Sequence, residues 1–238
     1  MTGHSRNSAN LAAKPKRIIN LNFLIMGTYD KGILGPFSGT VGTVVGANWR
    51  GKNVMRSRPK KSNRIPSEIQ LLQRERFAMV NHFLTPLREL IKLYFGHNIG
   101  AQSRYNLAVS YHMKEAVEWV DDVFEPIFSK VMFAKGDLPG VQDPGITAEA
   151  GNKLSLSWTD NSGQGLAKAE DTLIVVVYSD KTKMFEIFEN VATREEGHTE
   201  ILLPKYLKDL KAHCWATFVS NERKLAATSM YLGEINVK

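Results

Sequence analysis

The residues best suited to chemistry form a cluster of cations in the N-terminal quarter of the chain. Residues 26–64 read MGTYDKGILGPFSGTVGTVVGANWRGKNVMRSRPKKSNR, with Asp30 as the only acid. Several cations beside an aromatic ring can bind a polyanion, because lysine and arginine contact phosphates while an indole stacks on bases. The predicted polyanion-binding residues are Trp49, Arg50, Lys52, Arg56, Arg58, Lys60, Lys61 and Arg64.

The distribution of charge weakens this interpretation. The chain has 238 residues and a formal net charge of +7. Residues 1–64 hold 12 Lys and Arg against one acid, and residues 65–238 hold 19 against 23. Four of the N-terminal cations precede Met26, so much of the basic character lies outside the cluster. The cluster can equally be a solvated face of an exposed ribbon and linker.

Other chemistry-bearing residues do not assemble into a recognisable motif. A phosphate-binding loop needs G-x-x-x-x-G-K followed by Ser or Thr, but Gly46, Gly51 and Lys52 are followed by Asn53. The single Cys214 lies in the apolar run AHCWATF, which predicts a small core residue rather than a nucleophile. We therefore predict no catalytic residue, no bound cofactor and no metal site.

The histidines and the clustered acids have structural interpretations. The histidines at positions 82, 97, 112, 198 and 213 are scattered, and His112 is expected to be a surface or helix-capping residue. Asp121, Asp122 and Glu125 are expected to form a solvated turn before a strand in PIFSKVMFAKG. An enzyme of unrecognised type is left as a third interpretation.

The first 25 residues resemble neither a signal peptide nor the rest of the chain. The apolar run IINLNFLI is interrupted by Asn20 and Asn22, and no small-residue cleavage site follows. We expect translation to begin at Met26 and residues 1–25 to be upstream sequence. A disordered basic arm is the alternative.

The elements that position the cations are short strands and then helices. TVGTVV and ANWRGKNVMRSR predict a ribbon with a turn at Arg50–Gly51 or Gly51–Lys52, in which the glycines allow bulges or close backbone approach. A linker follows from Arg58 to Pro66. Ser67 and Gln70 form a capping-box pattern at the start of a helix, and Pro86 predicts a kink or two abutting helices near Thr85. A third helix is predicted over residues 103–117.

The C-terminal part changes to a pattern of short strands. The segment GDLPGVQDPG, residues 136–145, predicts a domain boundary. Strand-forming runs then recur over residues 153–158, 172–179, 183–188, 199–203, 212–220 and 226–235. This spacing is typical of a small antiparallel sandwich of the fibronectin type III or immunoglobulin kind, with Trp158 and Trp215 as opposed core residues.

The predicted fold is α+β. A domain of glycine-rich β-ribbon and three helices occupies residues 26–138, and a fibronectin type III-like β-sandwich occupies residues 145–238. No apolar run reaches the length of about 20 residues that a membrane helix needs. A cytoplasmic location is the default expectation, and the oligomeric state is open.

Five passages together resemble an uncharacterised bacterial family, classed as a domain of unknown function. They are GILGPFSGTVGTVVGANWRGKNVMRSRPKK, PSEIQLLQRERFAMVNHFLTPL, YNLAVSYHMKEAV, KVMFAKGDLPG and LSWTDNSGQGLAKAEDTLIVVVYS. The resemblance implies no catalytic residue, cofactor or substrate. The preferred functional hypothesis is a non-catalytic structural or interaction protein that acts through contacts of the sandwich and ribbon. The alternative is a nucleic-acid-binding protein that uses Arg50–Arg64.

Overall fold

The computed structural model describes residues 27–29, 35–49, 51–60, 64–100 and 102–238. The chain divides into two compact units, Met1–Arg64 and Ile65–Lys238. The predicted translation start at Met26 and the predicted leader 1–25 lie outside the described residues, as do Arg50 and Lys61.

The first unit contains an antiparallel sheet of four strands in sequential order. The strands are β1 (Gly27–Tyr29), β2 (Phe37–Val41), β3 (Val44–Trp49) and β4 (Lys52–Ser57). Trp49 pairs with Lys52, so the chain reverses direction between these two residues, and Gly51 takes a φ of 79° there. A two-residue turn of this kind favours glycine because it requires positive φ.

Close packing explains the glycine at position 46. Gly46 is buried in β3, and a Cβ atom at this position would lie 2.8 Å from the ring of Phe37 and overlap that residue's carbonyl oxygen. Any larger side chain would therefore push β2 and β3 apart. This agrees with the structural role predicted for the strand glycines.

The second unit begins with three helices, as predicted. They are α1 (Glu68–Leu84), α2 (Arg88–Tyr94) and α3 (Arg104–Glu115). The capping box is formed, because the Gln70 amide donates to Ser67 Oγ at 3.4 Å and the Ser67 amide donates to Gln70 Oε1 at 3.2 Å. Pro86 lies between α1 and α2, which are separate abutting helices.

A short hairpin follows the helices, and the strand predicted within residues 126–136 is wrong. The hairpin joins β5 (Val117–Val120) to β6 (Val123–Pro126) through Asp121 and Asp122, which have φ values of 46° and 61°. Residues Phe128–Lys130 then form a single 3₁₀ turn. Two backbone amides after this turn donate to side chains instead of pairing with a strand. The Met132 amide donates to His112 Nε2, and the Phe133 amide donates to Ser229 Oγ.

Seven antiparallel strands form two sheets in the remainder of the chain. The strands are β7 (Gln142–Glu149), β8 (Lys153–Thr159), β9 (Thr172–Ser179), β10 (Met184–Phe188), β11 (His198–Leu202), β12 (Lys211–Val219) and β13 (Met230–Asn236). One sheet has the order β11-β8-β7 and the other has the order β10-β9-β12-β13. The sequence prediction missed β7, because Pro144 and a register shift between Gln142 and Gly145 interrupt its pattern.

In the four-stranded sheet of the sandwich, the two central strands, β9 and β12, are buried on both faces. In β9, Leu173, Val175 and Val177 pack between the two sheets. The alternate residues Ile174, Val176 and Tyr178 pack in a second core that contains the helices. A strand buried on both faces is continuously apolar, which explains the run TLIVVVY.

The sequence predicted Trp158 and Trp215 to be opposed core residues, and this prediction is wrong. Trp158 lies between the sheets and meets Phe218 edge to face at 5.9 Å between ring centroids. Trp215 lies in the core shared with the helices. The difference arises because β12 is also buried on both faces, so alternate residues enter different cores.

The helices and the sandwich therefore share a hydrophobic core, and Ile65–Lys238 is one compact unit. This grouping differs from the sequence-based division into residues 26–138 and 145–238, which placed the helices with the ribbon. The physical reason is that the helices cover one face of the four-stranded sheet. The sequence shows the apolar face of each helix but not the surface that covers it.

A buried ion pair, Arg194 with Asp171, links the loops at one end of the sandwich. The guanidinium of Arg194 is fully buried, contacts Asp171 at 3.1 Å and lies 4.0 Å from the centroid of the Phe218 ring. It also donates to Asn161 Oδ1 at 2.5 Å and to the Pro139 carbonyl at 3.0 Å. Because its donors are taken by the protein itself, this arginine is structural.

Candidate functional site

The structure brings some of the predicted polyanion-binding residues together on one face of the first unit's sheet. Trp49 pairs directly with Lys52, and Val45 pairs with Arg56, so all four side chains belong to the same face. Trp49 is 54% exposed, and both cations are exposed. Arg58, Lys60 and Arg64 lie in the exposed segment after β4. Lys52 lies directly opposite the indole and Arg56 lies four residues further along the same face, so a base stacked on Trp49 would have one cation beside it and a second further along the strand.

The histidine at position 112 is buried rather than exposed, which corrects the prediction made for it. It is 2% exposed, its Nδ1 lies 2.8 Å from the Ala108 carbonyl, and the Met132 amide donates to Nε2 at 3.2 Å. These contacts are satisfied by the neutral ring with its proton on Nδ1. Burial lowers the pKa of His112 to about 4.

The single thiol has no reactive setting. Cys214 is a buried core residue of β12, as predicted, and burial raises its pKa to about 12. A thiol of this pKa holds almost no thiolate near neutral pH, and the thiolate is the nucleophile. Within the described residues, no three or more His, Cys, Asp and Glu side chains are grouped so that they could hold a metal ion.

The second unit contains an aromatic groove of about 800 Å³ that the sequence did not predict. It lies between α1, β6 and strands β9 and β10. Its floor and walls hold five aromatic side chains: Phe83, Phe124, Phe128, Tyr178 and Phe185. We call this site the aromatic groove.

The rings of the aromatic groove support one another. Phe83 meets Phe185 edge to face at 5.0 Å and Tyr178 at 5.3 Å between centroids. Tyr178 and Phe185 are cross-strand neighbours, with 4.5 Å between their ring centroids. Rings packed in this way are held rigidly, so a ligand would meet a surface that is already formed.

Polar groups stand at the rim of the groove. His82 and Glu125 line it, and Asp180 forms an ion pair with Lys183 at 2.5 Å. Burial and the neighbouring Asp180 raise the pKa of Tyr178 to about 12, so its phenol is protonated near neutral pH. These groups can orient a ligand by hydrogen bonds and charge.

The β5–β6 hairpin extends the apolar surface beyond the groove. Trp119 pairs with Phe124 and meets it edge to face at 4.4 Å between centroids. Trp119 is 45% exposed and Val123 is 56% exposed. The hairpin therefore contributes the exposed Val123 to the lining of the groove and presents the exposed Trp119 beside it.

Sequence reasoning missed the groove because four separate segments build it. The one local signal was VEWVDDVF, in which Trp and Val flank a turn that the structure exposes. The acids of this segment, Asp121, Asp122 and Glu125, indicate a solvated turn instead of a binding surface. No short motif could place Phe83 beside Phe185, which follows it by about a hundred residues.

The strand topology and a family match define the class of this protein. The second unit contains a seven-stranded antiparallel β-sandwich of the fibronectin type III and immunoglobulin kind, with helices on one sheet, and the α+β prediction is confirmed. The chain belongs to the Family of unknown function (DUF6266), whose model matches residues 36–233. The family resemblance seen in the sequence is thereby confirmed.

Several solved fibronectin type III domains are similar to part of this chain. A domain of the human collagen alpha-1(XX) chain is 9% identical, with a TM-score of 0.32 over 42% of this chain and 85% of that one. The FN5 domain of Drosophila Lar is 11% identical, with a TM-score of 0.30 over 43% and 96%. A domain of human contactin 1 is 14% identical, with a TM-score of 0.29 over 44% and 81%.

No curated protein sequence matches the chain significantly. Among the residues that the structure describes, no helix combines the length and apolar character needed to cross a membrane.

Proposed function

We propose that this protein is a non-catalytic interaction protein and that the aromatic groove is its contact surface for another protein. The observation that carries the proposal is the groove itself, with its aromatic side chains, the exposed Val123 in its lining and the exposed Trp119 packed on Phe124. Open apolar pockets with a few polar groups are the usual places for ligands and partners.

The energetics favour a protein ligand. Aromatic anchors dominate the binding energy of protein interfaces, and burying one large apolar side chain contributes about 1.5–3 kcal/mol. The groove offers rings that are already fixed, so a partner would lose less conformational entropy on binding than it would at a mobile surface. The polar rim would set the orientation.

The polar groups of the groove support binding rather than catalysis. Burial raises the pKa of Tyr178 to about 12, so its phenol is protonated near neutral pH and can donate a hydrogen bond to a ligand. Asp180 is held in its ion pair with Lys183. The protonated phenol and the paired charges suit recognition of a ligand by hydrogen bonds.

Site-specific photo-crosslinking in the native cell tests the proposal. A benzophenone amino acid replaces Val123 in the lining of the groove or, as the control, Leu202, which is 69% exposed on β11 of the other sheet. We expect a defined adduct from position 123 only. Filling the groove by Ala78→Trp should remove it, since Ala78 is an exposed residue of the lining. Equal labelling from both positions, or none from position 123, would contradict the proposal.

A second candidate function is nucleic-acid binding by the face of β3 and β4 that holds Trp49, Lys52 and Arg56. The specific observation in its favour is the direct pairing of Trp49 with Lys52 on an exposed face. Fluorescence anisotropy with single-stranded and double-stranded DNA and RNA tests it. Absence of binding at about 50 mM salt would exclude it, because phosphate contacts are strongest at low salt.

The double variant Lys52→Ala/Arg56→Ala distinguishes specific contacts from general charge. If both side chains contact phosphates, the slope of log affinity against log salt should fall by about 2, since each contact contributes about 0.9. The matched control is Lys205→Ala/Lys208→Ala, which removes two exposed cations from the second unit. Equal slopes for the two variants would argue against a site on β3 and β4.

The cytoplasmic location expected from the sequence is also a proposal. Cell fractionation with an antibody against the native chain tests it, and recovery of the protein outside the cytoplasm would overturn it.

A further inference from the structure

We propose that the partner enters as an extended, cationic segment that adds one strand to the free edge of β10 and places its apolar side chains in the aromatic groove. This inference rests on the proposed function, because it names the chemistry and the binding mode of the partner at that same groove.

The first observation is the open edge of β10. Among the described residues β10 pairs only with β9, through five consecutive residue pairs without a register shift. Its sequence MFEIF contains no proline or glycine and a single charged residue, Glu186. A regular apolar edge exposes backbone donors and acceptors that another extended chain can use.

The other edges of the sandwich are less suited to strand addition. Strand β7 contains Pro144 and a register shift, and β13 carries a register shift opposite Cys214 and Trp215. Irregularities of this kind block pairing at an edge. Strand β11 is regular, but it carries two exposed polar residues, His198 and Glu200, whereas the single charged residue of β10, Glu186, accepts a hydrogen bond from Tyr206. The edge of β10 is therefore the best template in the sandwich.

The second observation is the alignment of this edge with the groove. Phe185 of β10 pairs with Tyr178 and lines the groove, and Ile187 two residues later belongs to the same face. An added strand would lie about 4.8 Å from β10. Every second side chain of that strand would then stand beside Phe185, on the side of the groove.

The third observation is charge. Five acids and no cation occur between Glu115 and Pro126, and within the described residues none of the five forms an ion pair. Glu125 lines the groove itself. Complementary charge steers a partner and suppresses the wrong ones, so the bound segment should be basic. The acids are Glu115, Glu118, Asp121, Asp122 and Glu125.

The test uses the full chain and a fluorescein-labelled peptide of sequence Lys-Val-Lys-Phe-Lys-Val-Lys, with anisotropy as the measurement. We expect binding that weakens as salt rises, because the charges are exposed and screened. The peptide with Glu in place of every Lys should bind at least about tenfold more weakly. Groove filling by Ala78→Trp should also weaken binding of the basic peptide.

Backbone methylation separates strand addition from general attraction. Two further peptides carry N-methyl groups on alternate residues, in one of the two possible sets. Only one set of amides in an added strand points at β10, so one peptide should lose affinity by about tenfold and the other should not. Equal affinity of the two methylated peptides would overturn the inference.

Protein variants locate the charge contribution. Asp121→Asn/Asp122→Asn/Glu125→Gln should weaken binding by about tenfold and flatten its salt dependence. The matched control Glu149→Gln/Asp209→Asn/Glu195→Gln removes the same number of exposed acids elsewhere and should bind as the native chain does. Equal losses in the two triple variants would contradict a site at the hairpin.

The outcomes for this inference and for the proposed function are separable. If the acidic peptide binds as well as the basic one while the adduct from position 123 persists, the partner chemistry is wrong and the proposed function stands. If the adduct is absent, the proposed function fails, whatever the peptides do. Self-association of the chain that Ala78→Trp abolishes would identify a second copy as the occupant and overturn the cationic partner.

Discussion

His112 illustrates how a polar side chain becomes part of a core. Its two ring nitrogens meet a backbone carbonyl of its own helix and a backbone amide from the segment after the 3₁₀ turn. Both ring nitrogens are satisfied only in the neutral ring, because protonation of Nε2 would change it from an acceptor into an N–H donor that faces the Met132 amide donor. The residue therefore joins α3 to residues 131–134 only while it is unprotonated.

We predict that His112 makes the protein less stable in mild acid. Its pKa is about 4 in the folded state and 6.5 in the unfolded state, so between these values the unfolded chain binds more protons. Its contribution is complete above pH 6.5 and is lost as the pH falls toward 4. The expected loss between pH 7 and pH 5 is about 2 kcal/mol in the free energy of unfolding, measured by urea denaturation.

His112→Gln provides the control, since its amide offers a donor and an acceptor but does not titrate here. This variant should be less stable at pH 7 yet lose less stability on acidification. The buried His213, whose pKa burial also lowers, would contribute in the same direction in both proteins. An unchanged pH dependence in the variant would show that His112 is not responsible.

At this scale the sequence predicted Cys214 correctly and His112 incorrectly. The thiol belongs to a run of apolar residues, and this local pattern predicts that it is buried. His112 lies four residues after Ala108 on the buried face of α3, but its acceptor nitrogen is satisfied by Met132, 20 residues away. A partner so distant along the chain leaves no local pattern.

At the scale of elements, the predictions that held depend on short-range physics. The capping box, the break at Pro86 and the alternating strands follow from residues within a few positions of one another. Two predictions about strands failed for the opposite reason. Residues 126–136 have strand-like composition but bond to side chains from elsewhere, whereas β7 lies in a segment rich in Gly, Pro and Asp that resembles a linker.

We predict that Gly136→Ala destabilises the second unit by about 1–3 kcal/mol, because the new methyl group must displace backbone. A Cβ atom at Gly136 would overlap the carbonyl oxygen of Ala226. The same oxygen accepts a hydrogen bond of 3.2 Å from the Leu138 amide, so a shift there would also weaken this contact. Thermal or urea unfolding measures the change.

Gly140→Ala is the matched control in the same loop. The nearest atom to a Cβ at Gly140 is the Thr228 carbonyl oxygen at 4.0 Å, which is an ordinary contact distance. This variant should unfold within about 0.5 kcal/mol of the native protein, as substitutions without strain usually do. Equal destabilisation by both substitutions would mean that the loop, rather than the close approach at Gly136, is sensitive.

At the scale of the whole molecule, the fold class was predictable and the candidate site was not. The fold class follows from the periodicity of many local segments, and each segment contributes independently. The aromatic groove requires α1, β6, β9 and β10 to meet, and these are brought together by burial of the helices on the four-stranded sheet. The basic cluster of residues 49–64 was visible in the sequence because it is contiguous.

The shared core predicts how the chain can be divided. Ile174, Val176, Tyr178 and Trp215 are buried by the helices, and each large apolar side chain left exposed costs about 1.5–3 kcal/mol. A fragment of residues 65–238 should unfold cooperatively, whereas a fragment of residues 140–238 should expose this face, bind a hydrophobic dye and aggregate. Circular dichroism and dye fluorescence measure the difference.

Polar substitutions on the exposed face provide the decisive comparison. Val176→Thr/Tyr178→Thr should improve the solubility of the fragment 140–238, because it removes apolar surface that nothing covers, and both residues stay compatible with a strand. The same pair should destabilise the fragment 65–238 by about 3 kcal/mol or more, because there the side chains are buried against the helices. If the unsubstituted fragment 140–238 is soluble and cooperative, the helices are dispensable for the sandwich, and a boundary near residues 138–145 describes the chain better than the shared core does.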